Sequence, residues 1–283
     1  MNDVPRYAVT GAAGAVGGRV ARRLEALGLP QRLVVRDPAK APEVGGAQVV
    51  AGSYADGESM RRALDGIDTL FLVSGRESRT RLEEHYSVVD AAAAAGVRRV
   101  VYTSFLAAAP DATFILARDH YATEERIRST ALAYTFLRDS MYLDSVPMMV
   151  WADGVIRGPA GDGRVACVAR DDVADVAVVA MTQAGHEGAT YDVTGPEART
   201  LTEMAAVLSR HLGRTIRFED ETLDEARASR AGFGAEAWEV EGWVTSYAAV
   251  ATGEMDVVSD AVQRVTGHPP LSLEGFLALP GSS

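Results

Sequence analysis

The chain has 283 residues, of which 47% are apolar and 24% charged, a balance typical of a folded protein with a substantial core rather than of a disordered one. Its 39 acidic and 28 basic residues give a net charge of −11, which would repel nucleic acid and anionic membrane surfaces. A single cysteine excludes an intramolecular disulfide, and no Cys/His cluster has zinc-ligand spacing, so we expect no metal site. Without a signal-peptide pattern or a long apolar run, we expect a cytoplasmic protein with no membrane or nucleic-acid partner.

The first half of the chain alternates short apolar strands with helical patterns. Strands are predicted at 7–10, 32–35, 47–51, 69–73 and 99–103, and helices at 19–27, 59–64 and 81–95. This alternation predicts an α/β fold with a Rossmann-type, doubly wound parallel sheet. Ligands bind such sheets beyond the carboxyl ends of the strands, where Gly11, Arg36, Gly52, Ser74 and Ser104 are expected.

The second half is less regular. The pattern predicts a helix at 119–129, strands at 134–137 and 164–169, and a helix beginning near Asp172. Cys167, in the predicted strand 164–169, is expected to be a small buried residue. The capping-box spacing of Thr200 and Glu203 predicts a helix at 201–212. We therefore expect a Rossmann domain over 1–155, joined again by 164–185, and a smaller C-terminal α/β substrate lobe over 186–283.

A glycine-rich turn follows the first predicted strand. Gly11, Gly14 and Gly17 have the spacing of a tight turn that lets a pyrophosphate approach the amides of the following helix. A plain glycine-rich turn is the alternative, but the strand and helix on either side are the context that the binding motif requires. The cofactor-binding residues predicted around this turn are Thr10, Gly11, Ala13, Gly14, Ala15, Val16 and Gly17.

Arg36 distinguishes between the two dinucleotides. It ends the second strand, where an acid would bind the ribose hydroxyls of NAD and an arginine would pair with the 2′-phosphate of NADP(H). Lys40 lies near enough to add a second cation. The alternative gives the ribose to Asp37, although a turn residue before a proline needs no ligand to explain it. The sequence therefore predicts NADP(H).

A series of motifs resembles the NmrA-like branch of the atypical short-chain dehydrogenases, particularly its quinone oxidoreductases and triphenylmethane reductases. The motifs are Val9-Thr10-Gly11-Ala12-Ala13-Gly14, Val35-Arg36-Asp37-Pro38-Ala39-Lys40, Tyr102-Thr103-Ser104, His120-x-x-Thr123-Glu124, Tyr134-Thr135-Phe136-Leu137-Arg138, Gly161-Asp162-Gly163 and Arg170-Asp171-Asp172-Val173-Ala174. The resemblance runs from about residue 7 to 270. It implies that NADPH is also held by Val73, Ser74, Gly75, Arg138, Tyr142 and Arg170.

The Tyr-x-x-x-Lys pair of ordinary short-chain dehydrogenases is missing. Tyr121 is suitably placed, but the position four residues later is Glu125, which cannot lower the pKa of a tyrosine as an ammonium would. His120 fits the family pattern and could donate a proton near neutral pH, or it could be a packed helix residue. Ser104 could hydrogen-bond substrate or nicotinamide, or simply begin a loop. His120 and Ser104 are the predicted catalytic residues.

A bulky segment follows the last cofactor-side strand. Met141, Tyr142, Met148 and Trp151, with Met149, are predicted to form an apolar wall for an aromatic or quinone-like substrate. The function expected is an NADPH-dependent reductase of quinones or related conjugated compounds. Two alternatives stay open: a non-catalytic NADP(H)-binding redox sensor, and a reductase or isomerase of another metabolite such as a nucleotide sugar. A homodimer is compatible with the sequence.

Overall fold

The computed structural model of the chain describes residues 5–280. Within these residues, seven strands form one sheet in the order β3-β2-β1-β4-β5-β6-β9, and β8 with β10 and β7 with β11 form two-stranded sheets. The strands are β1 (Tyr7–Thr10), β2 (Gln31–Val35), β3 (Gln48–Ala51), β4 (Thr69–Leu72), β5 (Arg99–Phe105), β6 (Ala133–Asp139), β7 (Val155–Gly158), β8 (Arg164–Val165), β9 (Ala189–Val193), β10 (Arg199–Thr200) and β11 (Arg217–Asp220).

Helices follow or precede most of these strands. They are α1 (Ala15–Ala26), α2 (Gly57–Ala63), α3 (Arg81–Ala94), α4 (Ile115–Arg128), α5 (Arg170–Thr182), α6 (Leu201–Leu212), α7 (Leu223–Arg230), α8 (Ala237–Ala251), α9 (Ala261–Thr266) and α10 (Leu273–Leu277). None of the helices within residues 5–280 combines the length and apolar character needed to cross a membrane.

The middle of the large sheet is parallel. β1 pairs in parallel with β2 and β4, β2 pairs with β3, and β4 pairs with β5. All four residues of β4 are buried, as expected for a parallel strand with helices on both faces. The predicted α/β class with a Rossmann-type sheet is confirmed. The strand order changes direction at β1, between β2 and β4, which is the topological position of a ligand site in such sheets.

The chain divides into two compact units. Among the described residues, unit 1 contains 5–104, Asp119–Arg138 and Arg170–Tyr191, and unit 2 contains Phe105–Arg118, Asp139–Ala169 and 192–280. The core of unit 1 includes Leu70, Tyr102 and Phe136, whereas that of unit 2 includes Phe114 and Leu208. These units combine segments of the chain differently from the predicted domains, which were divided at residues 155 and 186. That division into domains stays a prediction.

Several element boundaries differ from those predicted. α1 begins at Ala15 rather than at residue 19, because the two glycines of its first turn hid the helical pattern. β5 continues through Ser104, which was expected to follow the strand. The predicted strand 164–169 was wrong beyond Val165. Beyond Val165, the backbone forms hydrogen bonds with two different segments of the chain rather than with one neighbouring strand. The Ala166 carbonyl accepts the Gly195 amide, and the Val168 amide donates to the Met141 carbonyl. Cys167 is nevertheless buried, as expected.

Candidate functional site

The glycine turn joins β1 to α1 in a conformation that favours glycine. Gly11 has φ +59°, in the left-handed region, and its carbonyl accepts the Gly14 amide at 2.8 Å. A Cβ on Gly17 would lie 2.4 Å from the Gly11 oxygen, whereas a Cβ on Gly14 would lie 3.1 Å from that atom. Gly17 is therefore required by close packing of helix on turn. Gly14 is exposed and keeps the surface of the turn open.

The N-terminus of α1 offers backbone donors. Gly14 precedes the helix in an extended conformation and has no side chain with which to cap it. The amides of Ala15, Val16 and Gly17 belong to the first turn, where helices have no internal acceptors. Together with the positive end of the helix dipole, these amides suit a pyrophosphate. Ala13 is exposed beside them, while Thr10 is buried and bonds within the sheet.

Arg36 lies immediately after β2 and is exposed, as is Lys40. Asp37 is used locally: its side chain accepts the Ala39 amide at 3.1 Å and caps the 3₁₀ helix Pro38–Lys40. Lys40 Nζ lies 4.0 Å from Asp37 Oδ2. This turn geometry accounts for Asp37 without a ribose, and it leaves the exposed guanidinium of Arg36 at the strand end.

The loop after β4 is held by side chains from β1, β5 and α3 and by Tyr54. The amides of Val73, Ser74 and Gly75 donate to Thr10 Oγ1 (3.0 Å), Thr103 Oγ1 (2.7 Å) and His85 Nε2 (2.7 Å). The Val73 carbonyl accepts from Tyr54 and the Gly75 carbonyl from Arg81. We call residues 73–75 with these partners the β4 loop cradle. Because the amides of residues 73–75 are all engaged, these amides are not available to a ligand.

His85 and His120 belong to a buried polar network. Arg81, which is 3% exposed, donates to His120 Nε2 at 2.8 Å, and His120 Nδ1 lies 3.0 Å from the Tyr102 hydroxyl. On the other side, His85 Nδ1 lies 2.8 Å from Thr123 Oγ1. Because each histidine accepts a hydrogen bond at Nε2, its Nδ1 carries the proton in the neutral ring.

Both histidines are neutral at pH 7. Burial, followed by the Arg81 charge, lowers the pKa of His85 to about 3. Burial, Arg81 and His85 likewise hold the pKa of His120 well below its ordinary value. This environment disfavours the protonated ring on which the prediction of His120 as an acid depends, and its catalytic role stays a prediction.

Glu124 is fully buried and contacts two of the predicted site residues of unit 1, Ser104 and Arg138. It accepts the Ser104 hydroxyl at 2.6 Å and both Arg138 Nε and Nη2, at 2.9 and 2.7 Å. Arg128 adds a third cationic contact at 3.3 Å. Ser104 thus donates its proton within the protein and can only accept from a ligand, while Arg138 is oriented by a bidentate ion pair.

The predicted residues of unit 2 have different surroundings. Met141 packs against the core of the unit, whereas Met148 is 71% exposed. Trp151 lies 5.3 Å from the ring of Phe233 and 4.9 Å from the Arg157 guanidinium. The Tyr142 hydroxyl is 2.8 Å from Asp139 Oδ2. The remaining predicted cofactor residue, Arg170, is the first residue of α5 in unit 1.

Sequence reasoning missed several residues of this arrangement, among them His85, Arg81 and Asp139. Arg81 and His85 are four apart on α3, so they share one helix face, and the same face is continued by the buried Val88, Val89 and Ala92. The presence of two polar residues on an otherwise apolar helix face was the feature of the sequence that could have indicated a buried polar network. Nothing comparable marks Asp139, because its burial follows from tertiary packing.

Comparison with known proteins points to one kind of chemistry. A family model described as NAD(P)H-binding matches residues 11–184. A (4-alkanoyl-5-oxo-2,5-dihydrofuran-3-yl)methyl phosphate reductase of Streptomyces griseus is 41% identical, over 92% of this chain and 93% of that protein. An NAD(P)H azoreductase of Xenophilus azovorans is 32% identical, over 95% of each chain. The crystal structure of an NADPH-dependent quinone oxidoreductase of Escherichia coli with NADPH is similar with a TM-score of 0.88, at 31% identity, over 96% of this chain and 98% of that one.

Proposed function

This chain belongs to the NAD(P)H-binding family, in its NmrA-like branch, and is an NAD(P)H-dependent oxidoreductase; from that premise we propose that it uses NADPH to reduce a quinone or a related conjugated small molecule. The observation that carries the proposal is the exposed Arg36 at the end of β2, with Asp37 committed to its own turn. When bound, the cofactor supplies a hydride, which a conjugated acceptor takes up with little distortion.

The cofactor would lie along unit 1 in the manner expected of the fold. The amides of Ala15, Val16 and Gly17 bind the pyrophosphate, and Arg36, with Lys40, pairs with the 2′-phosphate. The close-packed turn formed by Gly11, Gly14 and Gly17 leaves room for that approach. The further residues that we assign to cofactor binding are Thr10, Ala13, Val73, Ser74, Gly75, Arg138, Tyr142 and Arg170.

The contacts around Glu124 refine the catalytic proposal. Ser104 acts as a hydrogen-bond acceptor toward a ligand, because its own hydroxyl donates to Glu124. His120 is a positioning residue rather than an acid, since both of its ring nitrogens face partners within the buried network. Through Arg81, the same network reaches the β4 loop cradle.

The acceptor is proposed to be conjugated because three kinds of relative share that property. Quinones and azo compounds are conjugated, and the dihydrofuranone named for the 41% identical relative has a ring double bond next to a carbonyl group. We assign Met141, Tyr142, Met148 and Trp151 to the wall that such an acceptor would contact. The exposed side chain of Met148 and the half-buried ring of Trp151 provide apolar surface in unit 2.

The test is NADPH oxidation, followed by its near-ultraviolet absorbance, with a panel of quinones, azo dyes and unsaturated lactones. We expect turnover with one or more of these classes and little with saturated ketones, whose reduction needs an enzyme acid more strongly. Tight NADPH binding without turnover on any acceptor would contradict the proposal and indicate a redox sensor. Turnover confined to nucleotide sugars would contradict the assigned substrate class.

A further inference from the structure

Gly75, in the loop after β4, is held through both of its backbone polar groups by a single helix. Its amide donates to His85 Nε2 at 2.7 Å, and its carbonyl accepts from Arg81 Nε at 3.1 Å. Arg81 and His85 are four residues apart on α3, so both lie on the same face of that helix. Only 3% of Arg81 is exposed, and His85 is fully buried. The position of Gly75 therefore depends on this helix face.

The two side chains on α3 are themselves fixed by α4. Arg81 Nη2 lies 2.8 Å from His120 Nε2, and Arg81 Nη1 lies 3.3 Å from Asp119 Oδ2. His85 Nδ1 lies 2.8 Å from Thr123 Oγ1. Because a buried guanidinium is stable only when its N–H groups are hydrogen-bonded, these contacts leave Arg81 little freedom. We call Arg81 and His85 the α3 clamp.

The other end of the loop lies against the glycine turn. A Cβ added to Gly11 would be only 3.0 Å from Val73 Cβ. The Val73 amide donates to Thr10 Oγ1 at 3.0 Å, and the Tyr54 hydroxyl donates to the Val73 carbonyl at 2.7 Å. Because protein interiors are close-packed, a shift of residues 73–75 would displace the turn that leads into α1. The α3 clamp is thus connected, within unit 1, to the backbone proposed to bind the cofactor.

We propose that Arg81 and His85 are positioning residues for the dinucleotide, an inference that rests on the proposed function. By holding Gly75, they keep residues 73–75 and the glycine turn in the arrangement that the cofactor requires. Each acts through Gly75 and takes no part in hydride or proton transfer. The pyrophosphate is common to NADPH and NADH, so loosening the clamp weakens the binding of both. In this respect the clamp differs from Arg36, whose removal is expected to affect NADPH alone.

The experiment compares two substitutions of His85. His85→Leu removes the acceptor of the Gly75 amide, whereas the side-chain oxygen in His85→Gln can still accept that amide. An unpaired amide would draw the loop into other arrangements, and binding weakens as fewer molecules keep the competent one. In calorimetric titrations of the folded proteins, we expect His85→Leu to bind both NADPH and NADH about tenfold more weakly. His85→Gln should remain within about threefold of the parent.

Substitution of Arg81 tests the carbonyl side of the same clamp. Arg81→Gln should weaken the binding of both cofactors in parallel, by about tenfold or more. If that protein does not fold, Arg81→Lys, which keeps the charge but not the forked geometry of the guanidinium, takes its place and should show the same parallel loss.

Arg126→Gln is the matched control. Arg126 on α4 binds Asp90 on α3 at 2.6 Å, so it joins the same two helices. Asp90 lies nine residues beyond Arg81, roughly 13 Å along the helix and away from the loop. Arg126→Gln should therefore bind both cofactors as the parent does. Urea unfolding of each variant measures any loss of stability separately from the change in affinity.

Several outcomes would overturn the proposal. Unchanged affinity for both cofactors in folded His85→Leu and in the folded Arg81 variant would leave the clamp a purely structural role. A loss for NADPH alone would contradict it, because the clamp acts on parts of the site that both cofactors share. Equal losses in His85→Leu and His85→Gln would assign the effect to packing of the ring rather than to Gly75.

The titrations contain no acceptor, so they separate this proposal from the proposed function. A parent that binds NADPH but reduces no acceptor would refute the proposed reductase, while the affinities of the variants would still decide the role of the clamp. A parent that binds neither dinucleotide would refute both proposals.

Discussion

We expect the cofactor preference to depend on the guanidinium of Arg36. It is exposed at the end of β2, and the Asp37 carboxylate, the alternative partner of the ribose, accepts the Ala39 amide instead. A phosphate in front of Arg36 would gain charge-assisted hydrogen bonds that a hydroxyl cannot match. The preference is therefore expected to come from one side chain rather than from the shape of the turn.

Arg36→Ala should weaken NADPH binding by about 1.5 to 3 kcal/mol, the range for a hydrogen bond to a charged group, and leave NADH binding nearly unchanged. Isothermal titration calorimetry with both cofactors measures the difference. Arg62→Ala removes the same charge from an exposed position on α2 and is the control. Parallel losses for NADPH and NADH would contradict the phosphate assignment.

Glu124 shows how far residue identities lead before a structure is available. The His120-x-x-Thr123-Glu124 pattern singled out three residues that are all buried, but it did not reveal their partners. Ser104 lies 20 positions from Glu124 and Arg138 lies 14 positions from it, on two different strands. Such pairings depend on how strands are placed beside a helix, so the burial of Glu124 and the neutral state of His120 could not be read from spacing.

At the scale of elements, the first strand, turn and helix were predicted because two signals agree. The spacing of the apolar residues predicts a strand followed by a helix, and the glycines predict a tight turn between them. The segment 164–169 was misjudged for the converse reason. Its alternating side chains have the period of a strand, yet its backbone bonds to Met141 and Gly195 instead of one continuous neighbour. Alternation of apolar residues in a sequence predicts which side chains face a core. It does not predict which backbone groups form hydrogen bonds with each other.

The two glycines that follow Gly11 should respond differently to substitution. Gly17→Ala would force a Cβ to 2.4 Å from a carbonyl oxygen, so we expect a loss of about 1 to 3 kcal/mol or more in the free energy of unfolding. Gly14→Val should leave the fold largely intact and abolish NADPH binding, because its side chain would cover the approach to the helix amides.

Urea unfolding without cofactor, followed by calorimetric titration of each folded variant, separates these effects. Gly18→Ala, at the next buried position of α1, would bring its Cβ only to 3.0 Å of the Ala12 oxygen and serves as an intermediate case. A Gly14→Val protein that retains NADPH affinity would show that the turn is structural only.

For the molecule as a whole, the buried histidines predict acid sensitivity. The pKa of His85 is about 3 when folded and about 6.5 when exposed, so the unfolded chain binds more protons between these values. Stability is therefore present above pH 6.5 and is lost as pH falls, by about 1.4 kcal/mol per pH unit for this residue. His120 acts in the same direction, whereas the raised pKa of Asp139 opposes both.

The free energy of unfolding, measured in urea between pH 7 and pH 5, should consequently depend less on pH in His85→Gln than in the parent. The glutamine can still accept the Gly75 amide, which limits the loss of stability at pH 7. His211→Gln, at an exposed position on α6, should retain the parental slope. An identical slope in His85→Gln would mean that its ring is protonated in the folded protein.

The packing of α1 on α5 constrains the order in which tertiary contacts can form while the chain is being translated. Arg19 and Arg23 bind Asp171 and Asp175 at 2.6 to 2.9 Å, across 148 to 152 positions of sequence. At about 5 to 20 residues per second, the ribosome makes α5 roughly 8 to 30 s after α1. Until then the helix that begins at the glycine turn lacks its ionic partners, and β6 lacks β9. The segment that we propose to bind the cofactor is thus among the first to be translated and among the last to gain its full support. A nascent chain stalled before Arg170 would leave that segment without its partner helix.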